Sequence, residues 1–351
     1  MELKLKGLTL RTGVIQSPMA ACTDLAFRLL AREMGMELAF AEMVSAHALV
    51  YDNRKTLELL KTAPGDRPLG AQLVGADPAR MAAAAARIEE MGFDVLDLNL
   101  GCPAPKITQG GGGAGSALLT RPEAAGRIFI EVMKAVKRIP VTVKMRLGFA
   151  DPSGVEAVEI GKRAEAAGIC AVTVHGRTRE QGYKVGADYS AIGRVKRALS
   201  IPVIGNGDVM SGSDAKRLVE VSRCDAVMLG RGALGNPWIY KDVESALKGE
   251  PGARREPTRD DRRRTLLRHL ELEVRFGGEC RALLHMRRIA CWYFAGLPGA
   301  VAFRRDVCAA RSTSEMRGII EAFGISSAGR APGGGATSCE AAPGTCCRST
   351  G

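Results

Sequence analysis

The chain has 351 residues, of which 46% are hydrophobic and 25% are charged, and its formal net charge is +12 at pH 7. No run reaches the ~18 to 20 apolar residues of a membrane-spanning helix, and the start MELKLKGLTL lacks the apolar core of a signal peptide, so we expect a cytoplasmic protein without a membrane partner. The positive charge favours an anionic partner such as nucleic acid.

The ten cysteines form neither a disulfide framework nor a metal-binding motif. Seven stand singly in segments that are predicted to be strands or helices, and Cys339, Cys346 and Cys347 lie near the C-terminus. No CxxC pair or paired cluster of His and Cys occurs. We therefore predict reduced thiols and no metal site.

Eight short runs that are rich in β-branched or apolar residues recur along the chain, separated by amphipathic or alanine-rich stretches. The runs occupy residues 13–18, 38–44, 68–75, 94–101, 141–148, 170–176, 202–208 and 225–231. One intervening stretch, residues 122–139, begins at Pro122, a common first residue of a helix.

Eight strand–helix units are typical of a (β/α)8 barrel, whereas an open doubly wound sheet usually has fewer strands. We predict an α/β fold, a TIM barrel over residues 1–240.

Polar and glycine-rich segments follow these runs at their C-terminal ends. In chain order they read PMAACTD, AQLVG, NLGCP, KMR, HGRTR, GNGD and GRGALG. Because barrel enzymes build their active sites at this end of the strands, the pattern predicts a site at the barrel mouth.

The composition changes after Trp238. Residues 241–325 carry 17 Lys and Arg against 12 Asp and Glu and show long helical patterns without a strand-like run. This predicts a separate, all-helical domain. Residues 326–351 are poor in bulky apolar residues and rich in Gly, Ser, Ala and Pro, so we predict a disordered low-complexity tail.

Two glycine-rich segments suggest a phosphate site. GRGALG at 230–235 matches the GxGxxG pattern, but an arginine-rich helical region follows it instead of the second strand of a dinucleotide-binding fold. In a barrel, the loops after strands seven and eight bind phosphate, and glycines let backbone N–H groups approach it. GNGD at 205–208 would complete such a site. The alternative is that both segments are plain tight turns.

Lys144 and His175 are predicted to face this site. In the run VTVKMRL, alternation places Thr142, Lys144 and Arg146 on one face of a strand. A lysine inside a barrel needs an anionic partner, and a cofactor that becomes anionic on reduction would supply one; the alternative is a lysine that snorkels at the strand end. His175 ends the run CAVTVHG and precedes the basic loop GRTR, which favours a functional histidine over a structural one.

Cys102 follows a predicted strand and precedes Pro103, which holds it extended, so its thiol should project into the barrel mouth. A cysteine thiol is mostly protonated at neutral pH and can donate a proton, whereas a nucleophilic role needs an activating group that the local sequence does not supply. The glycine row 110–113 lacks the Gly-Lys-Ser/Thr ending of a P-loop, and we interpret it as a mobile lid.

A basic helical face is predicted in RALLHMRRIACWYF. Arg281, His285, Arg288 and Trp292 recur at spacings of four, three and four residues. The neighbouring face, suited to packing, holds Met286, Ile289 and Tyr293. A basic face with an aromatic residue fits phosphate contacts and base stacking; the alternative is a solvated face with Trp292 in the core.

Taken in order, the segments SPMAACTDLAFR, GAQLVG, DLNLGCPAPK, VKMRLG, VHGRTR, GNGD, GRGALGNPW and HMRRIACWYFAGLPGA closely resemble the bacterial tRNA-dihydrouridine synthases over residues 8–325. The resemblance implies an FMN-containing barrel with a helical tRNA-binding domain, in which NADPH or NADH reduces FMN. Hydride would pass from flavin N5 to C6 of a flipped-out uracil, and Cys102 would protonate C5. We expect a monomer.

The resemblance also assigns residues. It places Pro18, Met19 and Ala20 against the flavin ring and Gln72 and Lys144 at its polar edge. The further cofactor residues are His175, Asn206, Gly207, Asp208, Gly230 and Arg231. The substrate-binding residues are expected to be Asn99, Arg146, Arg177, Arg281 and Arg288.

One segment departs from the family pattern. In relatives the last glycine after the cysteine usually runs straight into the helix start, whereas here Ala114 and Gly115 intervene after Gly113, so the predicted lid is two residues longer.

Two rival functions are a reductase of a free pyrimidine, of the dihydroorotate or dihydropyrimidine dehydrogenase type, and a tRNA-binding protein without catalysis.

Overall fold

The computed structural model describes residues 1–110, 112–250 and 256–324. The predicted tail 326–351, with its three cysteines, lies outside the described residues, as does Gly111 of the glycine row.

Parallel strands form a closed barrel that begins after an N-terminal hairpin. The hairpin consists of β1 (Leu3–Leu5) and β2 (Leu8–Leu10). The barrel strands are β3 (Val14–Gln16), β4 (Ala39–Phe40), β5 (Val44–Ser45), β6 (Leu69–Val74), β7 (Val95–Leu100), β8 (Val141–Arg146), β9 (Ala171–His175), β10 (Val203–Asn206) and β11 (Ala226–Leu229). Because β4 and β5 both pair with β6, they share the second of eight strand positions.

The ring closes through β3. This strand pairs with β11 in the register Val14 to Val227, and on its other side the Gln16 amide donates to the Leu38 carbonyl at 2.8 Å. Each of the eight predicted runs contains one strand position, so the predicted TIM barrel is confirmed.

Side-chain alternation along the strands separates two apolar regions, as the two-residue period of a strand requires. In β11, Val227 and Leu229 pack outward against the helices, while Ala226 and Met228 point inward. The inward residues of several strands meet the hairpin leucines Leu3, Leu5 and Leu10. The hairpin thereby packs against the barrel interior, which helps to fill it with apolar side chains.

Helices surround the barrel. They are α1 (Leu25–Glu33), α2 (Ala46–Val50), α3 (Arg54–Leu59), α4 (Pro78–Glu90), α5 (Pro105–Thr108), α6 (Pro122–Ala135), α7 (Val155–Ala167), α8 (Tyr189–Ala198), α9 (Gly212–Ser222) and α10 (Ile239–Lys248), with short 3-10 helices at Gly115–Thr120 and Arg231–Ala233. In α4 the Asp77 carboxylate caps the amide of Arg80 at 2.7 Å, Pro78 occupies the first turn, and Met81, Ala85 and Ile88 are buried at helical spacing.

A second apolar core lies between four further helices and α1. These helices are α11 (Arg259–Gly277), α12 (Glu279–Tyr293), α13 (Ala300–Ala309) and α14 (Thr313–Gly324). Leu270, Met286 and Phe303 of this core pack together with Ala26 and Leu30 of α1. The helical region is therefore attached to the barrel through a shared apolar surface, and residues 256–324 contain no strand.

The expected domain boundary at residue 240 falls inside α10. Ile239, Tyr240 and Val243 of this helix are buried in the barrel core, and its residue Asp242 accepts a hydrogen bond from the Gly212 amide of α9 at 2.8 Å. The structure thus joins α10 to the barrel, and the helical unit begins at α11. No helix in the described part of the chain is long and apolar enough to cross a membrane.

Candidate active site

One cavity at the C-terminal mouth of the barrel brings most of the predicted site residues together. Its lining includes every residue that the sequence assigned to the cofactor, namely Pro18, Met19, Ala20, Gln72, Lys144, His175, Asn206, Gly207, Asp208, Gly230 and Arg231. Cys102, Asn99 and Arg146 also line it. Of the predicted substrate residues, Arg177, Arg281 and Arg288 are not part of the lining.

A chain of hydrogen bonds crosses the cavity floor on β6, β7 and β8. The Asn99 amide nitrogen donates to Gln72 Oε1 at 2.8 Å, and Gln72 Nε2 donates to Asp97 at 2.6 Å. Thr142 Oγ1 donates to the other Asp97 oxygen at 2.6 Å. The chain fixes the side-chain orientation of Gln72 and Asn99, because each amide has one end committed to a protein partner.

Asn99 also determines the backbone position of Cys102. Its Oδ1 accepts hydrogen bonds from the amides of Gly101 at 3.1 Å and Cys102 at 2.9 Å. Arg146 fixes the same turn from β8, because its Nε donates to the Gly101 carbonyl at 3.0 Å. The predicted substrate residues Asn99 and Arg146 therefore act first as supports for the cysteine, and a partly exposed Cys102 lies at the cavity wall.

The segment after Cys102 folds back onto it. The Ser116 amide donates to the Cys102 carbonyl at 3.1 Å, and Ala114 donates to the Ile107 carbonyl at 3.0 Å. Gly115 has φ +59°, and a Cβ at this position would lie 2.8 Å from the Cys102 carbonyl oxygen. The two-residue extension thus ends at a glycine that the close approach requires, and motion of the predicted lid stays a prediction.

Lys144 is the central cation of the cavity floor. Its ammonium group donates to Asn206 Oδ1 at 3.0 Å, and Asn206 is itself fixed through a hydrogen bond to the Met228 carbonyl at 2.8 Å. Burial lowers the pKa of Lys144 to about 8, against the opposing charge of Asp97. Burial likewise raises the pKa of Asp97 to about 6, although hydrogen bonds from Gln72 and Thr142 and the charge of Lys144 oppose the shift.

A second cationic group surrounds the loops after β9, β10 and β11. Arg177 is almost fully buried and pairs with Asp208, whose other oxygen lies 3.2 Å from Arg231. Burial raises the pKa of Asp208, but hydrogen bonds from Arg177 and Ala187 and the two arginine charges outweigh it, so the net pKa is lowered. Arg177 therefore holds the loop of Asp208 from beneath, which differs from the predicted contact with substrate.

His175 lies between the two cationic groups. Its pKa is lowered well below the ordinary value, by burial and then by the charges of Lys144, Arg146, Arg177 and Arg231. Arg177 Nη1 lies 3.3 Å from His175 Nε2, a contact that requires the imidazole nitrogen to accept. A neutral His175 is therefore the form that this surrounding charge favours.

Tyr183 is a lining residue that the sequence interpretation missed. Its ring centroid lies 4.0 Å from the Arg231 guanidinium, and 59% of the residue is exposed. It belongs to the loop between His175 and α8, and no strand period or glycine motif marks it there. Met43 and Met210 also line the cavity without a signal in the sequence.

The cation-rich lining of the cavity fits an anionic ligand. Among the described residues that line the cavity, the cations Lys144, Arg146 and Arg231 outnumber the single carboxylate of Asp208. A Cβ built on Gly230 would meet no protein atom nearer than 3.9 Å, so the glycine leaves space for a ligand beside the backbone. An anionic group at this position would balance the charge.

The turn after β3 forms another wall. The Cys22 amide donates to the Met19 carbonyl at 3.0 Å, and Thr23 Oγ1 accepts from the Met19 amide at 3.0 Å. Ala21 adopts φ +58°, which is uncommon for a residue other than glycine. The turn thereby presents Pro18, Met19 and Ala20 to the cavity.

The predicted basic face of α12 contacts the barrel at this turn. His285 and Arg288 both donate to the Ala21 carbonyl, and Arg281 lies 3.9 Å from Asp24. Met286, Ile289 and Tyr293 are buried, which confirms the packing face. Trp292 is partly buried against the helical core, and the Arg288 guanidinium lies 5.4 Å from its ring centroid.

Among the described residues, one group could offer three ligand atoms to a metal ion: Asp24, His269 and Glu273 lie within 4.8 Å of one another. His285 already interacts with both carboxylates, because its Nδ1 lies 2.9 Å from Glu273 and 3.4 Å from Asp24. The group is thus an ion-pair network between α1, α11 and α12, and the expected absence of a metal stays a prediction.

Comparisons with known proteins agree on a family. The model of the dihydrouridine synthase (Dus) family matches residues 15–323. A probable tRNA-dihydrouridine synthase of Rickettsia bellii (strain RML369-C) is 40% identical over 307 residues, which are 87% of this chain and 92% of the relative. The tRNA-dihydrouridine synthase B of Pseudomonas putida is 38% identical over 319 residues, 90% of this chain and 92% of the relative.

Solved structures share the barrel fold. Histamine dehydrogenase from Rhizobium sp. 4-9 superposes with a TM-score of 0.56 at 14% identity, over 77% of this chain and 50% of the dehydrogenase. Morphinone reductase in complex with tetrahydroNAD superposes with a TM-score of 0.50 at 14% identity, over 75% of this chain and 93% of the reductase. At this identity the similarity concerns the fold alone.

Proposed function

The chain belongs to the dihydrouridine synthase family, and from this premise we propose that it reduces particular uridines of tRNA to 5,6-dihydrouridine, with FMN as cofactor and NADPH as electron donor. The observation that carries the proposal is a cation-rich cavity with Cys102 at its wall. A flavin that binds there would supply, when reduced, the hydride for C6 of the uracil ring.

The cavity residues divide into two groups that match the two parts of such a cofactor. Pro18, Met19 and Ala20 would contact the ring, and Gln72 and Lys144 would face its polar edge. The ribityl phosphate would lie against the loops after β10 and β11, where the lining includes Asn206, Gly207, Asp208, Gly230 and Arg231. Ring and phosphate would thus meet different walls of the cavity.

Lys144 would stabilise negative charge on the cofactor. Its ammonium group is held by an uncharged partner, Asn206, at 3.0 Å, and it shares the barrel interior with the Asp97 carboxylate. A fixed cation in a site of low dielectric favours a negative charge next to it without reorganisation of solvent. An anionic ring that replaces water beside Lys144 would therefore be stabilised by the ammonium group.

Cys102 would donate the proton to C5 of the uracil. Asn99 fixes the backbone of Gly101 and Cys102 through two hydrogen bonds, and Arg146 fixes the Gly101 carbonyl. Three hydrogen bonds from β7 and β8 thereby fix the backbone that carries the thiol, which would limit the distance that the thiol must travel to a base stacked in the cavity. A thiol on a backbone positioned in this way would act as a general acid.

The helical unit that begins at α11 would bind the tRNA. It lies beside the cavity, because His285 and Arg288 of α12 contact the turn that lines the cavity. Arg281 is half exposed next to this contact and offers a charge for a backbone phosphate. The uridine would leave the RNA stack to enter the mouth.

The test uses the purified full-length protein. We expect denaturation to release FMN, and we expect NADPH oxidation to require tRNA that lacks dihydrouridine, with dihydrouridine as the product in nuclease digests. Release of FAD or of no flavin would contradict the cofactor assignment. NADPH oxidation with uracil or orotate but not with tRNA would instead show a reductase of free pyrimidines.

A further inference from the structure

The turn Met19–Cys22, which lines the flavin cavity, is held in a strained form by side chains that come from elsewhere in the chain. Ala21 has φ +58°, a conformation that L-residues other than Asn and Asp rarely adopt. Its amide donates to the Glu42 carboxylate, and its carbonyl accepts from His285 Nε2 at 2.9 Å and from Arg288 Nη2. The conformation of the turn therefore depends on the helical unit.

The contacts of His285 fit a proton on both ring nitrogens. Nε2 faces a carbonyl oxygen, which can only accept, and Nδ1 lies 2.9 Å from a carboxylate oxygen of Glu273 and 3.4 Å from one of Asp24. An imidazolium satisfies these acceptors together. Hydrogen bonds with Asp24 and then with Glu273 raise the pKa of His285 to about 10, which agrees with this protonation.

The surroundings of His285 fix its ring from each packed element. Asp24 caps α1 by accepting from the Phe27 amide at 3.0 Å, and Glu273 of α11 is 1% exposed. His269 of α11 lies 3.9 Å from Glu273, and burial lowers its pKa to about 4. The other charged groups that face the contact are Arg281, Arg288 and Glu42. The ring is thus held between the start of α1 and α11, and its Nε2–H donates to the Ala21 carbonyl of the turn.

We propose that His285 is a positioning residue that sets the flavin-facing shape of the Met19–Cys22 turn and so couples the helical unit to the cofactor site. The proposal rests on the proposed function for the identity of the cofactor. Without the Nε2 donor, Ala21 loses a partner that offsets its unfavourable conformation, and the turn relaxes. Met19 and Ala20, which line the cavity, then move relative to the cofactor ring.

Substitution of His285 by Asn or by Gln distinguishes the roles of its two ring nitrogens. Asn places its amide nitrogen near the position of Nδ1, and Gln places it near the position of Nε2. His285→Asn can keep a donor for Glu273 but loses the donor to Ala21, whereas His285→Gln keeps the donor to Ala21. Both remove the positive charge, so the difference between them reports on the bond to the turn.

The measurement is the FMN affinity of the apoprotein, from quenching of flavin fluorescence in the absence of tRNA. We expect His285→Asn to weaken FMN binding about tenfold, the loss typical of a charge-assisted hydrogen bond, and His285→Gln to recover most of it. With tRNA, we expect His285→Asn to lower kcat while KM for tRNA stays close to the wild-type value. Wild-type FMN affinity in His285→Asn, or equal losses in both variants, would overturn the proposal.

Arg268→Gln is the matched control. Arg268 also bridges α11 and the barrel, through an ion pair with Glu33 of α1 at 2.8 Å, but it does not contact the turn. We expect wild-type FMN affinity and kcat in this variant. An equal loss in Arg268→Gln would assign the effect to general loosening of the contact and would overturn the positioning role.

A second pair of variants keeps the test decisive if His285→Asn fails to fold in a thermal melt. Arg288→Leu removes the other donor to the Ala21 carbonyl and leaves the buried carboxylates paired with His285, so FMN affinity should fall. Ala21→Gly added to it should restore affinity, because glycine adopts positive φ without strain. Absence of the loss or of the recovery would overturn the proposal.

The proposed function and this inference fail in different ways. If the wild-type protein binds FMN and shows the expected pattern of variants but forms no dihydrouridine, the substrate assignment is wrong and the positioning role holds. If dihydrouridine forms and the variants bind FMN like the wild type, the positioning role is wrong.

Discussion

Two charged centres flank the Met19–Cys22 turn, and they differ in how their charges are balanced. On the cavity side, the described lining holds three cations, Lys144, Arg146 and Arg231, against one carboxylate. On the other side, the carboxylates of Asp24 and Glu273 face two cations, the His285 imidazolium and the Arg281 guanidinium, which lies 3.9 Å from Asp24. The first centre has positive charge without protein partners of equal number, whereas in the second each charge has a partner.

The local charge balance distinguishes a binding site from a structural network of ion pairs. Buried cations without enough anionic neighbours lower stability unless a ligand brings negative charge, so such a group in a cavity indicates a ligand. Two carboxylates that face an imidazolium and a guanidinium are already balanced within the protein. The same residue types thus have different roles because their local charge balance differs.

Cys102→Ala gives the largest expected effect and tests the chemistry of the cavity alone. We expect dihydrouridine formation to fall ~100 to 10,000-fold, since general acid catalysis typically contributes this much, while FMN content and flavin reduction by NADPH stay unchanged. Single-turnover assays on tRNA measure the loss. Cys170→Ala, the same change at the start of β9 on the opposite end of the barrel, should leave the rate unaltered. Normal product formation by the Cys102 variant would remove the thiol from the mechanism.

Lys144→Met tests whether the excess positive charge of the cavity serves the cofactor. Loss of a charge-assisted contact should weaken FMN binding ~10 to 100-fold, and the buried Asp97 would lose its cation. Fluorescence titration of the apoprotein measures the affinity. Lys196→Met is the control, because Lys196 forms its ion pair with Asp225 at 2.7 Å outside the cavity lining. Tight FMN binding without Lys144 would place the anionic ligand elsewhere.

The pH dependence of stability should have opposite signs at the two centres. The folded pKa of Lys144, about 8, lies below its ordinary value of 10.5, so its buried charge destabilises the apoprotein below pH 8, and this cost disappears as pH rises from 8 to 10.5. The folded pKa of His285, about 10, lies above its ordinary value of 6.5, so the stabilisation by its charge is complete below pH 6.5 and is lost as pH rises through 10.

Urea unfolding of the apoprotein between pH 6 and 10 measures this difference. Relative to Lys144→Met, the wild-type free energy of unfolding should rise above pH 8; relative to His285→Asn, it should fall across the range. FMN affinity should decrease through pH 8 in the wild type and stay flat in Lys144→Met. Parallel pH profiles of all three proteins would contradict the contrast between the two centres.

Arg281→Ala has the smallest expected effect and tests whether the second centre also borders an RNA surface. The Arg281 side chain is 48% exposed and lies 3.9 Å from Asp24, so its loss should spare the buried network. We expect weaker tRNA binding, with the slope of log affinity against log salt reduced by ~0.7 to 0.9, one phosphate contact. Arg11→Ala, at an exposed arginine just before β3, should keep the wild-type slope. An unchanged slope in Arg281→Ala would show that the RNA surface does not include Arg281.

Local patterns in the sequence were enough to place the barrel and its mouth. Alternation along runs such as 141–148 and the glycine-rich ends of the last two strands predicted where Lys144, Asn206 and Gly230 would lie, and the cavity lining contains them. These features depend on neighbours within a few residues, because a two-residue period and a tight turn are properties of a short segment. For the same reason Cys102 could be placed from the proline that follows it.

The tertiary structure decided the partners of the polar side chains. The sequence assigned Asn99 and Arg177 to substrate. Arg177 is instead buried under Asp208, whereas Asn99 lines the cavity and also supports Cys102, so its contact with substrate stays a prediction. It also placed the end of the barrel at residue 240, inside α10. Each of these outcomes depends on elements that meet only after folding.

The contact between His285 and Ala21 is the clearest case. The two residues are separated by 264 positions, and helical spacing placed His285 on a basic face without indicating what that face would meet. Alanine carries no sequence signal for positive φ, which glycine would have given. The sequence by itself therefore determined the strands, the mouth and the residues at each strand end. The closed barrel and the docked helices decided which charges are balanced by protein and which remain for a ligand, because charge balance depends on distances between segments that are remote in the chain.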